Sequence, residues 1–135
     1  MIVRQMSQRC PDAELIGQAS LADHVFLINR NGVATVVPEK NATVFGVLWE
    51  ISADDEDSLD YYEGVSSGYY AKKKPSVQLP SGEPREALTY VATDSRPGMP
   101  RSNYLEGIIA AAVHHELPAQ HVEFLRRYLN GCERR

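Results

Sequence analysis

The segment that most constrains the fold is a nearly continuous apolar run at residues 43–51, Thr43-Val44-Phe45-Gly46-Val47-Leu48-Trp49-Glu50-Ile51. It is rich in β-branched and aromatic residues, which favour strands. It falls far short of the roughly 20 apolar residues that a membrane span needs. Because the run is apolar almost throughout instead of alternating, we predict a strand with both faces buried.

The remaining pattern alternates between short strands and helices. Strands are predicted at residues 14–21, 24–29 and 33–37, with a turn at Asn29-Arg30-Asn31-Gly32 and a stop at Pro38. A hairpin is predicted from residues 69–79 and 86–91, and helices at residues 2–9, 104–116 and 119–129. The core stripe of the helix at 104–116 is expected to be Leu105, Ile108, Ile109, Ala112 and Val113. The predicted fold class is α+β, a small closed or nearly closed sheet with helices, in a single domain over residues 1–135.

The helix that follows the apolar run has clear end signals. Ser52 is typical of an N-cap, and Asp55 three residues later completes a capping-box pattern. The carboxylates at residues 54–57 lie in the first turn, where the helix dipole favours negative charge. The helix is expected to end near Tyr62, because Gly64 provides a C-terminal stop.

Charge and hydropathy exclude several function classes. The net charge is −4, and the one basic run, at residues 72–74, is better explained as a solvated strand edge than as a phosphate site, so no nucleic-acid partner is expected. No secretory signal and no membrane span are visible, so we expect a cytoplasmic protein without a membrane partner.

Metal and nucleophile motifs are also missing from the pattern. Cys10 and Cys132 form no CxxC pair, and His24, His114, His115 and His121 lack ligand spacing, so no metal site is predicted. No serine lies in a GxSxG elbow, and no glycine-rich phosphate loop precedes a helix.

The chemistry that the residues do suggest centres on Glu63. On a helix, Leu59, Tyr62 and Glu63 share one face, so Glu63 is expected to point toward the interior. Burial and the negative end of the helix dipole would both raise the pKa of its carboxyl group, as a general acid/base requires. Helix geometry alone leaves a second interpretation open, in which Glu63 only bonds to backbone amides at the helix end. Asp60 is the rival carboxylate, but it lies off this face and is expected to be exposed.

Taken in order, these segments resemble the γ-glutamylcyclotransferase-like family, also called the AIG2-like family. The match covers nearly the whole chain. Each segment is a weak signal alone, and their succession in this order makes the resemblance specific. The segments are Arg9-Cys10-Pro11-Asp12-Ala13, Gly32-Val33-Ala34-Thr35-Val36-Val37-Pro38, Val44-Phe45-Gly46-Val47-Leu48-Trp49, Leu59-Asp60-Tyr61-Tyr62-Glu63-Gly64-Val65, Gly68-Tyr69-Tyr70, Tyr104 and Leu117-Pro118.

The resemblance implies a small mixed β-barrel flanked by helices, with Glu63 as the catalytic acid/base and Tyr70 and Tyr104 as substrate-binding residues. The implied reaction is attack of the α-amine of a γ-glutamyl compound on its own γ-carbonyl group, which gives 5-oxoproline and a free amine. No cofactor is implied. Glutathione, γ-glutamyl amino acids and γ-glutamyl amines all remain open as the small-molecule substrate. Arg101, Arg126 and Arg127 could meet a substrate carboxylate, although surface ion pairing is the simpler role.

One departure from the family pattern supports an alternative. In the family, a hydrophobic strand ending in Tyr-Gly-Ser-Asn precedes the first helix, and this chain starts at Met1-Ile2-Val3-Arg4, about where that motif would end. Its loop would supply backbone N–H donors to the substrate carbonyl. The resemblance therefore leaves room for a catalytically inactive, small-metabolite-binding relative. An unpaired sheet edge would also favour self-association, so a homodimer through the open sheet edge is a further expectation.

Overall fold

Two long strands form a hairpin that organises the molecule. The computed structural model describes residues 10–133, except for the side chains of residues 132 and 133, so the helix predicted at residues 2–9 lies outside the described residues. β1 (Glu14–Ile28) and β2 (Ala34–Glu50) pair in antiparallel register, from Glu14 opposite Glu50 to Ile28 opposite Ala34. The four strands predicted for this region therefore merge into two.

A bulge in the middle of the hairpin explains why the sequence reads as four strands. The register passes from Ala22 opposite Thr43 to His24 opposite Pro38. Asp23 and Asn41 take left-handed φ angles of 58° and 68°, and the Asn41 N–H donates to Asp23 Oδ1 at 3.0 Å. Pro38 thus borders a bulge and does not end the strand. Among the described strands β2 lies at a sheet edge, where a missing N–H is tolerated.

The same edge position explains why the apolar run is less buried than predicted. Residues 44–49 are half-buried, and none of them is fully buried. Among the described strands β2 has one ladder partner, β1, and a strand at an edge is covered less completely than a central one. The prediction of a strand is confirmed, and the prediction that both of its faces are buried is wrong.

Among the described residues, four short strands complete two antiparallel sheets. β4 (Ser76–Gln78) joins β1 and pairs with β5 (Pro84–Glu86), while β3 (Tyr70–Lys73) pairs with β6 (Thr89–Ala92). The predicted hairpin of residues 69–79 and 86–91 is confirmed, but its ladder is interrupted near Pro75, which has no N–H to donate. Thr35 Oγ1 accepts the Ala92 N–H at 2.9 Å and ties β2 to the two-stranded sheet.

The α+β class is confirmed, but the strands of the described residues do not close into one barrel. The larger sheet has the order β2-β1-β4-β5, and β3 and β6 form a separate sheet. The interruption of the second hairpin separates the two sheets. The homodimer expected at an open sheet edge stays a prediction.

Within the described part of the chain, three helices pack around this framework: α1 (Ala53–Tyr62), α2 (Tyr104–His114) and α3 (Ala119–Glu133). The main core lies between β1 and the last two helices and consists of Phe26, Ile28, Leu105, Ala112, Val122 and Leu125. A fully buried aliphatic side chain such as Ile28, Leu105 or Leu125 contributes roughly 1.5–3 kcal/mol. Val113, predicted to belong to the core stripe, is 50% exposed instead, because it lies at the edge of the buried face of α2.

A second, smaller cluster holds α1 in place. Leu59 and Cys10 are buried and pack with Trp49, Ile51 and Tyr90. The predicted capping box is present, since Ser52 Oγ accepts the Asp55 N–H while the Asp55 carboxylate accepts the Ser52 N–H. This arrangement fixes both the start of α1 and the face that it buries.

Candidate active site

A cavity of about 820 Å³ lies between the end of α1, the start of β2, the β3–β6 sheet and the start of α2. Its wall is aromatic and polar. Among its described lining residues, Glu63 is the one carboxylate and Arg101 the one cation. The phenols on the wall belong to Tyr62, Tyr69, Tyr70, Tyr90 and Tyr104.

Glu63 is placed in this cavity by the way α1 ends. It is the C-cap residue, with helical φ and ψ of −82° and −5°, and its N–H donates to the Leu59 carbonyl oxygen at 2.8 Å. Gly64 then takes a φ of 66°, and the next turn closes through hydrogen bonds from Gly64 N–H to the Tyr61 oxygen and from Val65 N–H to the Asp60 oxygen. These two bonds define a Schellman motif, which fixes the direction of the chain after Glu63. The carboxylate is half-buried and adjoins the negative end of the helix dipole.

Tyr70 and Tyr104 meet at the backbone of one residue, Ala34. The Tyr70 hydroxyl donates to the Ala34 carbonyl oxygen at 3.1 Å, and the Tyr104 hydroxyl accepts the Ala34 N–H at 3.0 Å. Tyr70 opens β3 and Tyr104 opens α2, so the start of β2 holds both phenols in the same cavity. The two rings come from positions 34 residues apart in the sequence, and only the fold brings them together.

The protonation state of Tyr70 follows from this location. Burial raises the pKa of the Tyr70 phenol well above its usual value, and the neighbouring Tyr104 and Glu63 add to the rise, while the Arg101 cation opposes it. The phenol therefore stays neutral at physiological pH. The hydroxyl hydrogen of Tyr70 is directed at the Ala34 carbonyl oxygen. The Tyr70 oxygen therefore keeps lone pairs that can accept a hydrogen bond from a bound ammonium group.

Tyr90 connects the cavity to a charged network on α1. Its hydroxyl donates to Asp60 Oδ1 at 2.5 Å, and Lys72 Nζ lies 3.0 Å from Asp60 Oδ2 and also pairs with Glu56. The hydrogen bond from Tyr90 lowers the pKa of Asp60, and Lys72 lowers it further. The expectation that Asp60 is exposed is wrong. It is half-buried, because Tyr90 and Lys72 reach it from the neighbouring β6 and β3.

The basic run at residues 72–74 also differs in part from its predicted role. Lys72 is half-buried in two ion pairs with α1, whereas Lys73 and Lys74 are exposed. Lys72 therefore acts as a structural cation. The prediction of a solvated strand edge is confirmed for Lys73 and Lys74 only.

Arg101 reaches the cavity from the loop before α2. Its backbone N–H donates to the Gly32 oxygen at 3.2 Å, and its Nε donates to the Asn31 oxygen at 3.0 Å. The turn that accepts these bonds is itself held by Asn29, which is 1% exposed and whose Oδ1 accepts the N–H groups of Asn31 and Val33. The loop and the turn thus form one wall of the cavity.

The structure brings all three predicted site residues to this single cavity, and it adds others that the sequence did not reveal. Glu63, Tyr70 and Tyr104 all line it, and their catalytic and binding roles stay predictions. The pKa of Glu63 also stays a prediction. Tyr90 was missed because strand periodicity alone does not distinguish an active-site tyrosine from a core one. Of the arginines considered, Arg127 pairs with Glu123 on α3, and Arg101 is the one on the cavity wall.

A second cavity, of about 350 Å³, lies between the hairpin bulge and α3 and is mostly apolar. Its one ionisable lining residue among those described is His121, which is 8% exposed. Burial lowers the pKa of this imidazole, so it is neutral at physiological pH. This cavity lacks the carboxylate and the phenols that distinguish the larger one.

Among the described side chains, those of residues 10–131, no group of three or more His, Cys, Asp or Glu is placed to hold a metal ion. In the same range, none of the helices has the length and apolar character to cross a membrane.

The fold and the cavity together define a small α+β protein with one carboxylate among several phenols. Residues 43–125 match the model of the AIG2-like family, and the chain belongs to that family. It is 30% identical over 97 residues to the γ-glutamylcyclotransferases of Homo sapiens and Mus musculus, a region that covers 72% of this chain and 52% of each relative. The bovine protein of that name is 29% identical over 104 residues, 77% of this chain and 53% of the relative. The chain thus spans about half the length of these curated relatives.

Solved structures agree with this membership. A γ-glutamyl cyclotransferase structure superposes with a TM-score of 0.86 at 25% identity, covering 93% of this chain and 80% of that one. YkqA from Bacillus subtilis superposes with a TM-score of 0.81 at 23% identity, covering 96% of this chain and 48% of that one, and shows the shared fold.

Proposed function

We propose that this chain is an enzyme of the cyclotransferase type, which converts a γ-glutamyl amide or amine to 5-oxoproline and releases the amine, with Glu63 as the general acid/base. The observation that carries the proposal is the position of Glu63, the one carboxylate on the described wall of a cavity otherwise rich in phenols. The names of the curated relatives point to the same reaction.

The proposed reaction moves one proton through Glu63 and returns it. The ionised carboxylate takes a proton from the substrate's α-ammonium group, and the resulting amine attacks the γ-carbonyl carbon to form the lactam C–N bond. Collapse of the tetrahedral intermediate breaks the bond to the leaving nitrogen, which receives the proton from Glu63, and the second proton lost by the attacking nitrogen also passes to the released amine, which leaves as an ammonium ion at neutral pH. Atoms and charge balance without any cofactor. The proposed reactants are a small-molecule γ-glutamyl substrate and its two products, with no nucleic acid, and we place the reaction in the cytoplasm.

Tyr70 and Tyr104 have a binding role in this proposal. Tyr70 is a neutral phenol whose oxygen can accept a hydrogen bond from the α-ammonium, and Tyr104 lies beside it at Ala34. Because the ring closure is intramolecular, holding the substrate folded with its amine against its γ-carbonyl supplies much of the rate. Phenols anchored on a strand can hold that conformation without moving themselves.

The direct test is the replacement of Glu63 by glutamine. Glu63→Gln keeps the size and most hydrogen bonds but cannot accept a proton, so kcat/KM for 5-oxoproline formation should fall by about 10²–10⁴-fold. The change is measured with a panel of γ-glutamyl compounds and product detection by mass spectrometry. Glu86→Gln, an exposed substitution on β5 outside the cavity, is the matched control and should keep full activity.

The results also separate the enzyme from the non-catalytic alternative. Retained turnover in Glu63→Gln would remove Glu63 from the mechanism. Saturable binding of a γ-glutamyl compound by the unaltered chain without any 5-oxoproline would favour a small-metabolite-binding protein instead. Equal thermal midpoints for the two variants and the unaltered chain would show that a loss of activity is not a loss of folding.

A further inference from the structure

His121 is a buried imidazole on the wall of the second cavity, and no described residue gives its ring a hydrogen bond. The residue is 8% exposed, and the contact that its ring does make is an edge-to-face one with Phe45, with the ring centroids 5.8 Å apart. Neither ring nitrogen takes part in a hydrogen bond or an ion pair within the described part of the chain. Buried polar side-chain atoms are nearly always paired, so an imidazole in this state is ready to bond to a ligand.

The nitrogens of this ring open into the cavity. Among the described residues, every fully buried side-chain nitrogen or oxygen atom has a hydrogen-bond partner. The ring nitrogens of His121 have none, so they are not sealed in the protein, and His121 lines the second cavity. Burial lowers the pKa of the imidazole, which is therefore neutral at physiological pH. A neutral imidazole has one nitrogen that donates and one that accepts, whichever tautomer it adopts.

The other walls of the cavity favour an uncharged aromatic guest. Phe26, Phe45 and Phe124 lie on them, and phenyl rings form favourable edge-to-face and offset contacts with a further aromatic ring. No Asp, Glu, Lys or Arg is present among the described lining residues. A charged ligand would therefore lose its hydration without gaining an ion pair.

The volume of the cavity limits the size of that guest. It is about 350 Å³, near the lower end of the roughly 300–1,000 Å³ of small-molecule pockets. For comparison, an apolar cavity of roughly 150 Å³ holds a benzene molecule. A single ring or a fused pair of rings therefore fits, whereas a peptide or a nucleotide does not.

We propose that the second cavity binds a small, neutral aromatic molecule with one N–H or O–H donor, whose hydrogen bond the unprotonated nitrogen of His121 accepts. The site is separate from the cavity of the proposed reaction, and the inference does not depend on that reaction. Among the described residues, Phe26 is the one side chain that lines both cavities, so it is left unaltered in the test.

Indole and benzofuran are matched probes for this site, because they have nearly the same shape and only indole carries an N–H donor. Indole is titrated into the full ¹⁵N-labelled chain, and the amide shifts are followed by NMR. We expect saturable shifts centred on residues 41–45 and 120–124, with no shifts of comparable size at Gly64 or Tyr70. Benzofuran should bind at least about threefold more weakly, because it cannot donate a hydrogen bond to His121.

His121→Phe keeps an aromatic ring but removes the acceptor. It should bring the dissociation constants of the two probes together, mainly by weakening the binding of indole. The thermal midpoint should not fall, because the ring of His121 has no hydrogen bond to the described residues that could be lost. His114→Phe is the control, since it makes the same replacement at an exposed position on α2 that does not line the cavity, and it should keep the preference for indole.

Three results would each overturn the inference. They are the absence of saturable shifts with indole, shifts centred on the larger cavity, and a preference for indole that persists in His121→Phe. If His121→Phe does not fold, the shift map and the comparison of indole with benzofuran on the unaltered chain decide the question, and equal dissociation constants for the two probes would then refute the proposal.

Discussion

At the scale of single residues, the two carboxylates near the end of α1 differ in their surroundings. Asp60 and Glu63 are one helical turn apart at the end of α1, and both could serve as an acid/base on composition alone. Asp60 is bound by the Tyr90 hydroxyl and by Lys72, which lowers its pKa and keeps it ionised. A carboxylate held in this way is a poor proton acceptor near neutral pH. This environment favours Glu63 over Asp60 for the proposed acid/base role.

Tyr90→Phe tests this network through its pH dependence. Removal of the hydroxyl should lower the free energy of unfolding at neutral pH by roughly 1–2 kcal/mol, since a hydrogen bond to a charged group is lost. The bond holds the folded-state pKa of Asp60 below its ordinary 3.8. Its contribution is therefore present above 3.8 and is lost as the pH falls through the folded-state pKa. Denaturant titrations across this range should show the variant approaching the unaltered chain at low pH.

Tyr61→Phe is the control for that experiment, because Tyr61 lies next to Asp60 on α1 and its side chain is 80% exposed. It should change stability little at any pH. A Tyr90→Phe deficit of the same size in acid and at neutral pH would mean that packing, and not the bond to Asp60, stabilises this part of the molecule.

Residue-level prediction from the sequence succeeded where a local rule applied. The face of α1 places Glu63 beside Leu59, and both the helix and the buried Leu59 are found as expected. Asp60 and Val113 were misjudged, since their environments depend on β3, β6 and the packing of α2, which no local pattern contains. Tyr90 was not singled out for the cavity for the same reason, and Arg101 was named only as one of three arginines that could meet a substrate carboxylate.

At the scale of elements, the end of α1 determines where the proposed catalytic carboxylate points. The C-cap falls on Glu63 only because Gly64 can take a left-handed φ of 66° and close the Schellman motif. The space beside Gly64 is filled by Tyr69, whose Cδ2 would lie 3.0 Å from an added Cβ. The turn, the acid and one phenol of the cavity wall are thus parts of a single local arrangement.

Gly64→Ala should therefore affect both stability and activity. A left-handed alanine costs about 1–2 kcal/mol, and its methyl group must displace Tyr69 as well. Gly68→Ala is a matched control, because Gly68 has a φ of 81° but no atom within 4 Å of an added Cβ. Both variants should melt at lower temperature, and only Gly64→Ala should also lose kcat/KM. A similar loss of kcat/KM in Gly68→Ala would show that the active-site geometry responds to general destabilisation instead of to this contact.

The sequence predicted that these helices and strands exist, but it did not predict where the long strands begin and end. The turn, cap and helix-stop signals at Asn29, Ser52 and Gly64 act within a few residues, so the sequence reveals them. The continuity of β1 and β2 through the bulge depends on pairing between strands, which made Pro38 look like an end point. A closed or nearly closed sheet was expected from the order of strands and helices, and a barrel from the resemblance, but whether sheets join depends on side-by-side pairing that local patterns do not specify.

At the scale of the whole molecule, residues 94–101 connect the sheet to the helical part and bring one wall of the cavity into place. Asn29 Nδ2 donates to the Asp94 oxygen at 2.9 Å, and the Gly98 N–H donates to the Ile28 oxygen at 2.9 Å. A bridge from Asn29 to Pro97 lies between these bonds. Arg101 and Tyr104 follow directly, so their positions in the cavity depend on how this segment lies against the β1–β2 turn.

Gly98→Ala tests that dependence. An added Cβ would lie 2.4 Å from the Asn29 carbonyl oxygen and 2.7 Å from Arg30 Cα, both backbone atoms that cannot rotate away. The segment must move off the turn, at a cost of roughly 1–3 kcal/mol, and Arg101 and Tyr104 must move with it. We expect a lower denaturation midpoint together with a loss of kcat/KM. Gly46→Ala, in β2 with no atom within 4 Å of an added Cβ, should change neither. If Gly98→Ala unfolds at the same denaturant concentration as Gly46→Ala, the segment is not packed on the turn, and the cavity wall that contains Arg101 loses its structural basis.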